Sequence, residues 1–205
     1  MLIGGSTPWE IDEAMLGFGC EAGAFETQDD VGVDACLALR RRLSAALGRP
    51  SPRLPIAGRL LEEGRVGRSG SVGWYRYPGG EGLVIDPLVE DLVCEEARFA
   101  GVARRAFDAA EIRERLILAM IDEACRLLDE GALARASDVD LVSVLGLGFP
   151  RRRGGLMHHA DRVGAAALVA RVRALAPEDP LRRETAPRLL RAAADGRSPS
   201  AAAAR

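Results

Sequence analysis

An all-α fold follows from three observations on the chain. Apolar residues recur at three- and four-residue spacing along most of its length, and the alternating runs that make strands are few. Capping residues and terminal glycines punctuate that periodicity at helical lengths. An ordered set of short motifs in the first half returns in the second, so the chain reads as two related, duplicated helical units with one small extended segment.

The elements follow in order. Trp9, Ile11, Met15 and Phe18 mark a short helix over 8–18, with Ser6 or Thr7 as its cap and Pro8 in its first turn. Leu37, Leu39, Leu43 and Leu47 mark a second helix over 33–47 that ends at Gly48. Pro50, Pro52 and Pro55 then predict a rigid, extended segment. Residues 64–82 are too rich in glycine for a helix. There the runs 74–77 and 83–85, on either side of Pro78-Gly79-Gly80, are predicted to pair as a small hairpin. After Pro87 a helix places Leu88, Leu92, Val93 and Phe99 on one side. The strongest helical signal covers 109–130. Asp108 with Glu111 makes a capping box, Ile112, Leu116, Ile117, Met120, Ile121, Ala124, Leu127 and Leu128 form the stripe, and Gly131 supplies the left-handed C-terminus. Helices over 164–176 and 180–194 close the fold, and residues 196–205, small and polar, are expected to fray.

The repeat sets the domain organisation. Ile11-Asp12, Gly17-Phe18-Gly19, Gly23 and Asp29-Asp30-Val31-Gly32 return as Val139-Asp140, Gly146-Leu147-Gly148, Gly154-Gly155 and Asp161-Arg162-Val163-Gly164. The offset drifts from 128 (Asp12 to Asp140) to 132 (Asp29 to Asp161), which places about four extra residues around 149–153 of the second copy. The expected domains are 1–86, a linker helix over 87–107, 108–197, and a disordered tail over 198–205. The second copy is introduced by the long helix. The first has only Met1-Leu2-Ile3 before Gly4-Gly5, so it is read as lacking its opening helix, and the chain as beginning inside a domain.

Composition narrows the function classes. The chain has 205 residues, 48% hydrophobic and 28% charged, enough to bury a core. Its 28 basic residues are all arginine, and it contains no asparagine, which reads as a coding bias. A net charge of -2 argues against a nucleic-acid or anionic-membrane partner. No apolar run is long enough for a membrane span, and the start lacks the features of a secretory signal. The cysteines at 20, 36, 94 and 125 have neither zinc nor disulfide spacing, so buried, reduced thiols in a cytoplasmic protein are expected, with no metal site.

Two segments carry a resemblance. One runs through Glu114-Arg115-Leu116, Asp122-Glu123-Ala124, Leu128-Asp129-Glu130-Gly131, Asp138-Val139-Asp140, Gly146-Leu147-Gly148-Phe149-Pro150, Arg153-Gly154-Gly155 and Ala160-Asp161-Arg162-Val163-Gly164. The other is Gly64-Arg65-Val66-Gly67-Arg68 through Gly73-Trp74-Tyr75-Arg76-Tyr77. In order and spacing these resemble the C-terminal helical domains of 3-hydroxyacyl-CoA dehydrogenases. The likeness is strongest to the tandem pair in the alpha subunits of multifunctional fatty-acid oxidation enzymes, and it covers the chain from Gly5 to about Gly196. The resemblance implies helical units of the 6-phosphogluconate-dehydrogenase C-terminal-like type and a dehydrogenase that oxidises 3-hydroxyacyl-CoA with NAD. It implies substrate-pocket residues at Gly19, Ala22, Gly23 and Phe25. The arginine runs 40–42 and 151–153 suit the phosphates of CoA, a nucleic-acid backbone or a solvated face, and Arg68, Arg151, Arg152 and Arg153 are the phosphate-contact candidates. Acyl-CoA is then bound only together with an NAD-binding domain, and a homodimer or an interdomain contact is expected. The chain departs from the family where Ser69 and Gly70 replace Lys and Thr, where Asp122 replaces Asn, and where Glu21-Ala22-Gly23-Ala24 replaces a P-M-G-P turn. Losing both prolines removes the fixed φ values that would stiffen that turn. A non-enzymatic helical oligomerisation or docking module derived from the family is the alternative reading.

The chain's own chemistry is sparse. A dinucleotide cradle needs strand, G-x-G-x-x-G and helix; Gly17-Phe18-Gly19-Cys20-Glu21-Ala22 follows a helix instead, so no cofactor is expected on this chain. The family's catalytic His–Glu pair lies on the NAD domain, and no catalytic residue is assigned here. His158 beside Asp161 imitates a base held by a carboxylate, a spacing equally natural on a helix surface. Asp12, Asp140, Asp29, Asp30 and Asp161 are read as helix caps and partners of arginines. Trp74, Tyr75 and Tyr77 are read as anchors of the glycine-rich segment.

Overall fold

In the computed structural model, which describes residues 1–46, 48, 55–80, 82–178 and 184–201, the chain forms two compact units. The first comprises residues 1–17 and 22–112, the second residues 18–21 and 113–205. The described residues are all-α apart from isolated bridges in the glycine-rich segment.

The first unit begins with α1 (Pro8–Phe18), whose start is a capping box. The Glu10 backbone N–H donates to Thr7 Oγ1 at 3.3 Å and the Thr7 N–H to Glu10 Oε2 at 2.7 Å. Helices α2 (Ala24–Val31), α3 (Val33–Ala46) and α4 (Pro55–Glu62) follow. Gly32 separates α2 from α3 at φ 102°, a conformation that favours glycine, and its N–H closes α2 on the Gln28 carbonyl. Pro55 is not part of an extended segment: it opens α4, where a missing N–H costs nothing. The other two prolines of that expectation, Pro50 and Pro52, lie outside the described residues, as do Leu47 and residues 180–183.

Periodicity over-predicted burial in α3. Only Val33 is buried there, while Leu39 and Leu43 are more than half exposed. Likewise in α5 (Pro87–Phe99) the covered stripe is Val89, Leu92, Val93 and Ala97 at i, i+3, i+4 and i+8, whereas Leu88 and Phe99 face water. Asp86 caps α5 through the Leu88 N–H and pairs with the buried Arg65 at 2.8 Å. The expected hairpin shrinks to one antiparallel pair, in which Arg76 and Val84 exchange both backbone bonds at 2.9 Å. A tight turn over Pro78–Gly80 lies between the two partners, and Leu83, Val84 and Ile85 are exposed, so no apolar face extends the pairing.

The long helix α6 (Ala109–Asp129) starts as expected, with the Glu111 N–H donating to Asp108 Oδ1 at 2.8 Å, and Gly131 follows it at φ 72°. Its boundary residue Ile112 closes the first unit, and the rest of the helix belongs to the second. There it is followed by α7 (Ala136–Gly146), α8 (Leu156–Val163), α9 (Ala165–Leu175) and α10 (Pro187–Ala194). Asp122 accepts the Ala186 N–H at 2.6 Å and Asp129 pairs with Arg191 at 2.6 Å, which fastens α10 to α6. Residues 198–201 are tied down rather than frayed. The buried Arg188 donates to the carbonyls of Pro199 and Ser200 at 2.8 Å, and Asp161 accepts both the N–H and the hydroxyl of Ser200.

Asp29 is the corresponding fastener of the first unit. Its Oδ1 accepts the Trp74 N–H at 2.9 Å, and its Oδ2 accepts the Tyr75 N–H and the Tyr77 hydroxyl, each at 2.9 Å. Removing that carboxylate strands three buried donors beneath side chains no more than 2% exposed. Asp29→Ala is therefore expected to destabilise the chain by about 3 kcal/mol or more, since each orphaned buried donor costs ~1–3 kcal/mol. Urea unfolding followed by the fluorescence of Trp74 measures it; a midpoint unchanged from the parent contradicts this role.

Candidate functional site

Two sites in the described structure combine polar chemistry with defined geometry. The first is internal to the first unit. Asp12, on α1, accepts the N–H groups of Phe25 at 2.9 Å and Glu26 at 3.0 Å, which caps α2, and its Oδ2 also takes the Tyr75 hydroxyl at 2.8 Å. Gly23 sits over this carboxylate, where a Cβ would come within 2.2 Å of the Asp12 carboxyl carbon. Burial raises the pKa of Asp12 and Asp29 against the opposing pull of their hydrogen bonds, and it drives both tyrosines well above the phenol range. Tyr75 and Tyr77 are at most 1% exposed, so no substrate reaches these groups. The cluster holds the unit together: Asp12 is the helix cap that the sequence reading expects, whereas Asp29 spends its bonds on the aromatic segment rather than on a helix cap or an arginine.

The second unit repeats the cap. Asp140 Oδ1, on α7, accepts the N–H groups of Met157 at 2.7 Å and His158 at 3.1 Å, and a Cβ on Gly155 would strike the Asp140 carboxylate. Ser143 adds three bonds: its hydroxyl donates to the Asp140 carbonyl and accepts the Leu156 N–H, while its carbonyl takes the Phe149 N–H at 2.9 Å. The loop between α7 and α8 is thereby held at both ends. Within it Arg151–Arg153 form a tight turn between Pro150 and Gly154, whose φ is 79°.

That turn forms one side of an open basin of about 470 Å³, lined by Phe18, Pro150, Arg152, Arg153, His159 and Arg162 among others. Arg153 lies over the Phe18 ring at 4.0 Å and donates to the Phe18 carbonyl at 3.4 Å. Phe18 meets Phe149 and His159 edge-on, each at 5.6 Å between ring centres. Burial is the main cause that lowers the His159 pKa, helped by the charges of Arg153 and Arg162.

The expected site residues separate. Of the four pocket candidates, Gly19 alone falls in the second unit, at φ 106° with its α-carbon beside Pro150. Ala22, Gly23 and Phe25 fall in the first, where Gly23 serves the Asp12 cap and Phe25 is buried edge-on against Trp74 at 4.5 Å. Of the four phosphate candidates, Arg68 is committed to Asp30 and Glu26 and lies over the Tyr77 ring, so it is spoken for. Arg151 faces Glu21 at 3.8 Å, and Arg152 and Arg153 line the basin. The His158–Asp161 dyad does not form, because Asp161 is taken up by Ser200. Phe18, His159 and Arg162 were not singled out as basin residues by the sequence; only the aromatic at 18 in the first copy and a histidine beside a conspicuous arginine run hinted at them.

The remaining chemistry is quickly placed. Gly17 and Phe18 lie inside α1, with no strand leading to them among the described residues, so this segment does not have the strand–loop–helix form of a dinucleotide cradle. All four cysteines are free thiols, but only Cys125 is fully buried, its pKa pushed up to about 12 by burial; Cys20, Cys36 and Cys94 are half-buried. Among the described residues no helix is long and apolar enough to cross a membrane.

Comparison with known proteins identifies the surroundings of this fold. Residues 1–77 and 112–204 match the family model described as 3-hydroxyacyl-CoA dehydrogenase, C-terminal domain. The chain is 35% identical over 161 residues to the peroxisomal fatty acid beta-oxidation multifunctional protein of Oryza sativa subsp. japonica, a match covering 77% of the chain and 22% of that protein. It is 31% identical over 169 residues to the fatty acid oxidation complex subunit alpha of Shewanella putrefaciens, covering 82% and 23% respectively. The chain thus spans about a quarter of the length of such relatives. Among solved structures, 3-hydroxybutyryl-CoA dehydrogenase of Escherichia coli superposes with a TM-score of 0.70 at 15% identity, covering 92% of this chain and 55% of that one. The dehydrogenase part of multifunctional enzyme 1 from C. elegans gives 0.58 at 22% identity, covering 87% and 40%. At these identities the structures attest the fold alone.

The basin makes a pH prediction. His159 titrates below the ordinary imidazole range in the folded chain, so the unfolded chain binds that proton more readily. Stability is therefore expected to fall as pH drops below about 6.5, the ordinary imidazole value, towards the folded pKa. NMR titration of the His159 ring checks this, and Arg153→Met should move its midpoint upward. A parent midpoint at or above the ordinary value rules the account out.

Proposed function

The chain belongs to the 3-hydroxyacyl-CoA dehydrogenase C-terminal domain family, and from that membership we propose that it is the helical, substrate-side and dimerisation region of an NAD-dependent enzyme that oxidises 3-hydroxyacyl-CoA in fatty-acid β-oxidation. The observation that carries this reading is the family match over both units, residues 1–77 and 112–204. The names of the relatives, all fatty-acid oxidation or bifunctional enzymes, support the pathway.

In this reading the chain supplies shape rather than the redox step. Hydride transfer from C3 of the substrate requires a nucleotide cradle and a base for the hydroxyl proton. Neither is found among the described residues, so we assign both, with NAD, to an NAD-binding domain that acts with this chain. Acyl-CoA binds to the two together. A second copy of the chain or a neighbouring domain of the same enzyme is the other proposed partner. Leu141, Val142 and Leu145 of α7, more than half exposed, support such a contact. The free thiols suit a reducing compartment, and the cytoplasm is the location we propose.

The altered turn at Glu21-Ala22-Gly23-Ala24 favours the second reading, a helical oligomerisation or docking module without catalysis. With Gly23 and the neighbouring Phe25 engaged in the core, the segment lacks the stiff prolines of a pocket-forming turn. One experiment separates the two. The chain alone is expected to leave acetoacetyl-CoA and NADH unconsumed, and addition of, or fusion to, the NAD-binding domain of a family member should give turnover followed at 340 nm. Oxidation by the isolated chain disproves the division of labour. A folded, stable fusion with no turnover selects the non-enzymatic module.

A further inference from the structure

Three of the chain's arginines converge on one concavity without a carboxylate to answer them. Arg152, Arg153 and Arg162 line the basin of the second unit together with His159. The nearby acids are occupied. Glu21 stands against Arg151, outside the lining, and Asp161 accepts two bonds from Ser200. Among the described residues neither Arg152 nor Arg162 has an ion-pair partner, whereas Arg59, Arg68, Arg126 and Arg135 each do. An uncompensated cluster is electrostatically costly unless an anion relieves it.

We propose that this basin is a binding site for a phosphate monoester, with the dianion held by Arg152, Arg153 and Arg162 and the organic part of the ligand against Phe18 and Pro150. Three guanidinium groups offer more donors than a carboxylate can accept, whereas the three terminal oxygens of a phosphate accept bidentate pairs from several arginines. The basin's 470 Å³ lies in the range of small-molecule sites. It is a bounded hollow rather than a stripe, and the chain carries a net charge of -2, so an extended nucleic-acid backbone is the poorer match.

The loop is built for such a load. Pro150 and the two glycines at positive φ, Gly154 and Gly155, fix the Arg151–Arg153 turn, and the Asp140 and Ser143 bonds anchor it to α7 and α8. The guanidinium of Arg153 is pre-oriented by the Phe18 ring, so less freedom is lost on binding. The sequence alone nominated Arg152 and Arg153. The structure adds Arg162, His159 and the apolar wall, and it removes Arg68 and Arg151. This inference does not depend on the dehydrogenase reading, since it concerns the chain by itself.

The test is calorimetric titration of the full chain at low ionic strength with three probes: inorganic phosphate, adenosine 3′,5′-bisphosphate and adenosine. Both phosphates are expected to bind and adenosine is not. The bisphosphate is expected to bind more tightly than inorganic phosphate, because it alone offers an organic part to Phe18 and Pro150; equal affinity for the two overturns the monoester assignment. Arg152→Gln and Arg162→Gln should each weaken binding by about tenfold, the scale of one lost charge-assisted bond. Arg173→Gln, in the last turn of α9 and outside the lining, should leave it within about twofold, as expected for a remote surface charge. Phosphate should also raise the midpoint of the His159 ring titration, a readout on the folded parent that needs no variant. Absence of phosphate binding, binding unaffected by Arg152→Gln and Arg162→Gln, or equal binding of adenosine overturns the proposal.

Discussion

In both units, a carboxylate on one helix caps the next helix across a glycine that has no room for a side chain. Asp12 reaches past Gly23 to the N–H groups of Phe25 and Glu26, and Asp140 reaches past Gly155 to those of Met157 and His158. Each contact spares two of the orphan donors at a helix start and fixes where the following helix begins. Much else hangs on that placement. In the first unit it positions Asp29, on α2, to hold the aromatic segment. In the second it positions Asp161, on α8, to hold Ser200, and His159 to face Phe18. The glycines are as necessary as the acids, because a Cβ at either would collide with the carboxylate it should admit.

The same scaffold position serves different clients in the two units. Asp29 spends its bonds on Trp74, Tyr75 and Tyr77, so the first unit buries a large aromatic plug over α2. Asp161 spends its bonds on one serine of the terminal segment, which Arg188 grips from the other side. Helix α8 instead meets Phe18 and Phe149 through His159, and it carries His159 and Arg162 into the basin.

How much of this was legible in the sequence depended on where the determinants lie along the chain. Helices α1 and α6 were readable because their caps are local: Thr7 with Glu10, and Asp108 with Glu111, three residues apart. The eight-residue helices α2, α4 and α8 were not resolved as separate elements. Two turns carry too short a periodic pattern, and the caps of α2 and α8 come from acids 13 and 17 residues away, with glycine at the N-cap itself. Spacing also cannot distinguish an apolar stripe that is covered from one that is not, which is why Phe99, Leu39 and Leu43 look like core and face water. The recurring acids and glycines, by contrast, pointed to related caps before any coordinates, because side-chain chemistry and spacing were both repeated.

The basin shows the limit more sharply. An arginine run is visible in one dimension, but whether a given arginine is available is not. Arg68 and Arg153 both sit in glycine-rich segments and both cover an aromatic ring. Arg68 is closed off because Asp30 and Glu26 project from the helix beside it; Arg153 has no acid partner among the described residues, because Asp161 on the helix beside it turns to Ser200 and the residue after Asp161 is Arg162. Two acids beside Arg68 make it an internal ion pair, whereas Arg162, which lines the basin with Arg153, adds a like charge instead of an answering carboxylate. Whether an arginine is paired within the fold or left without a carboxylate depends on the sign of its neighbours, and only the fold shows which neighbours those are.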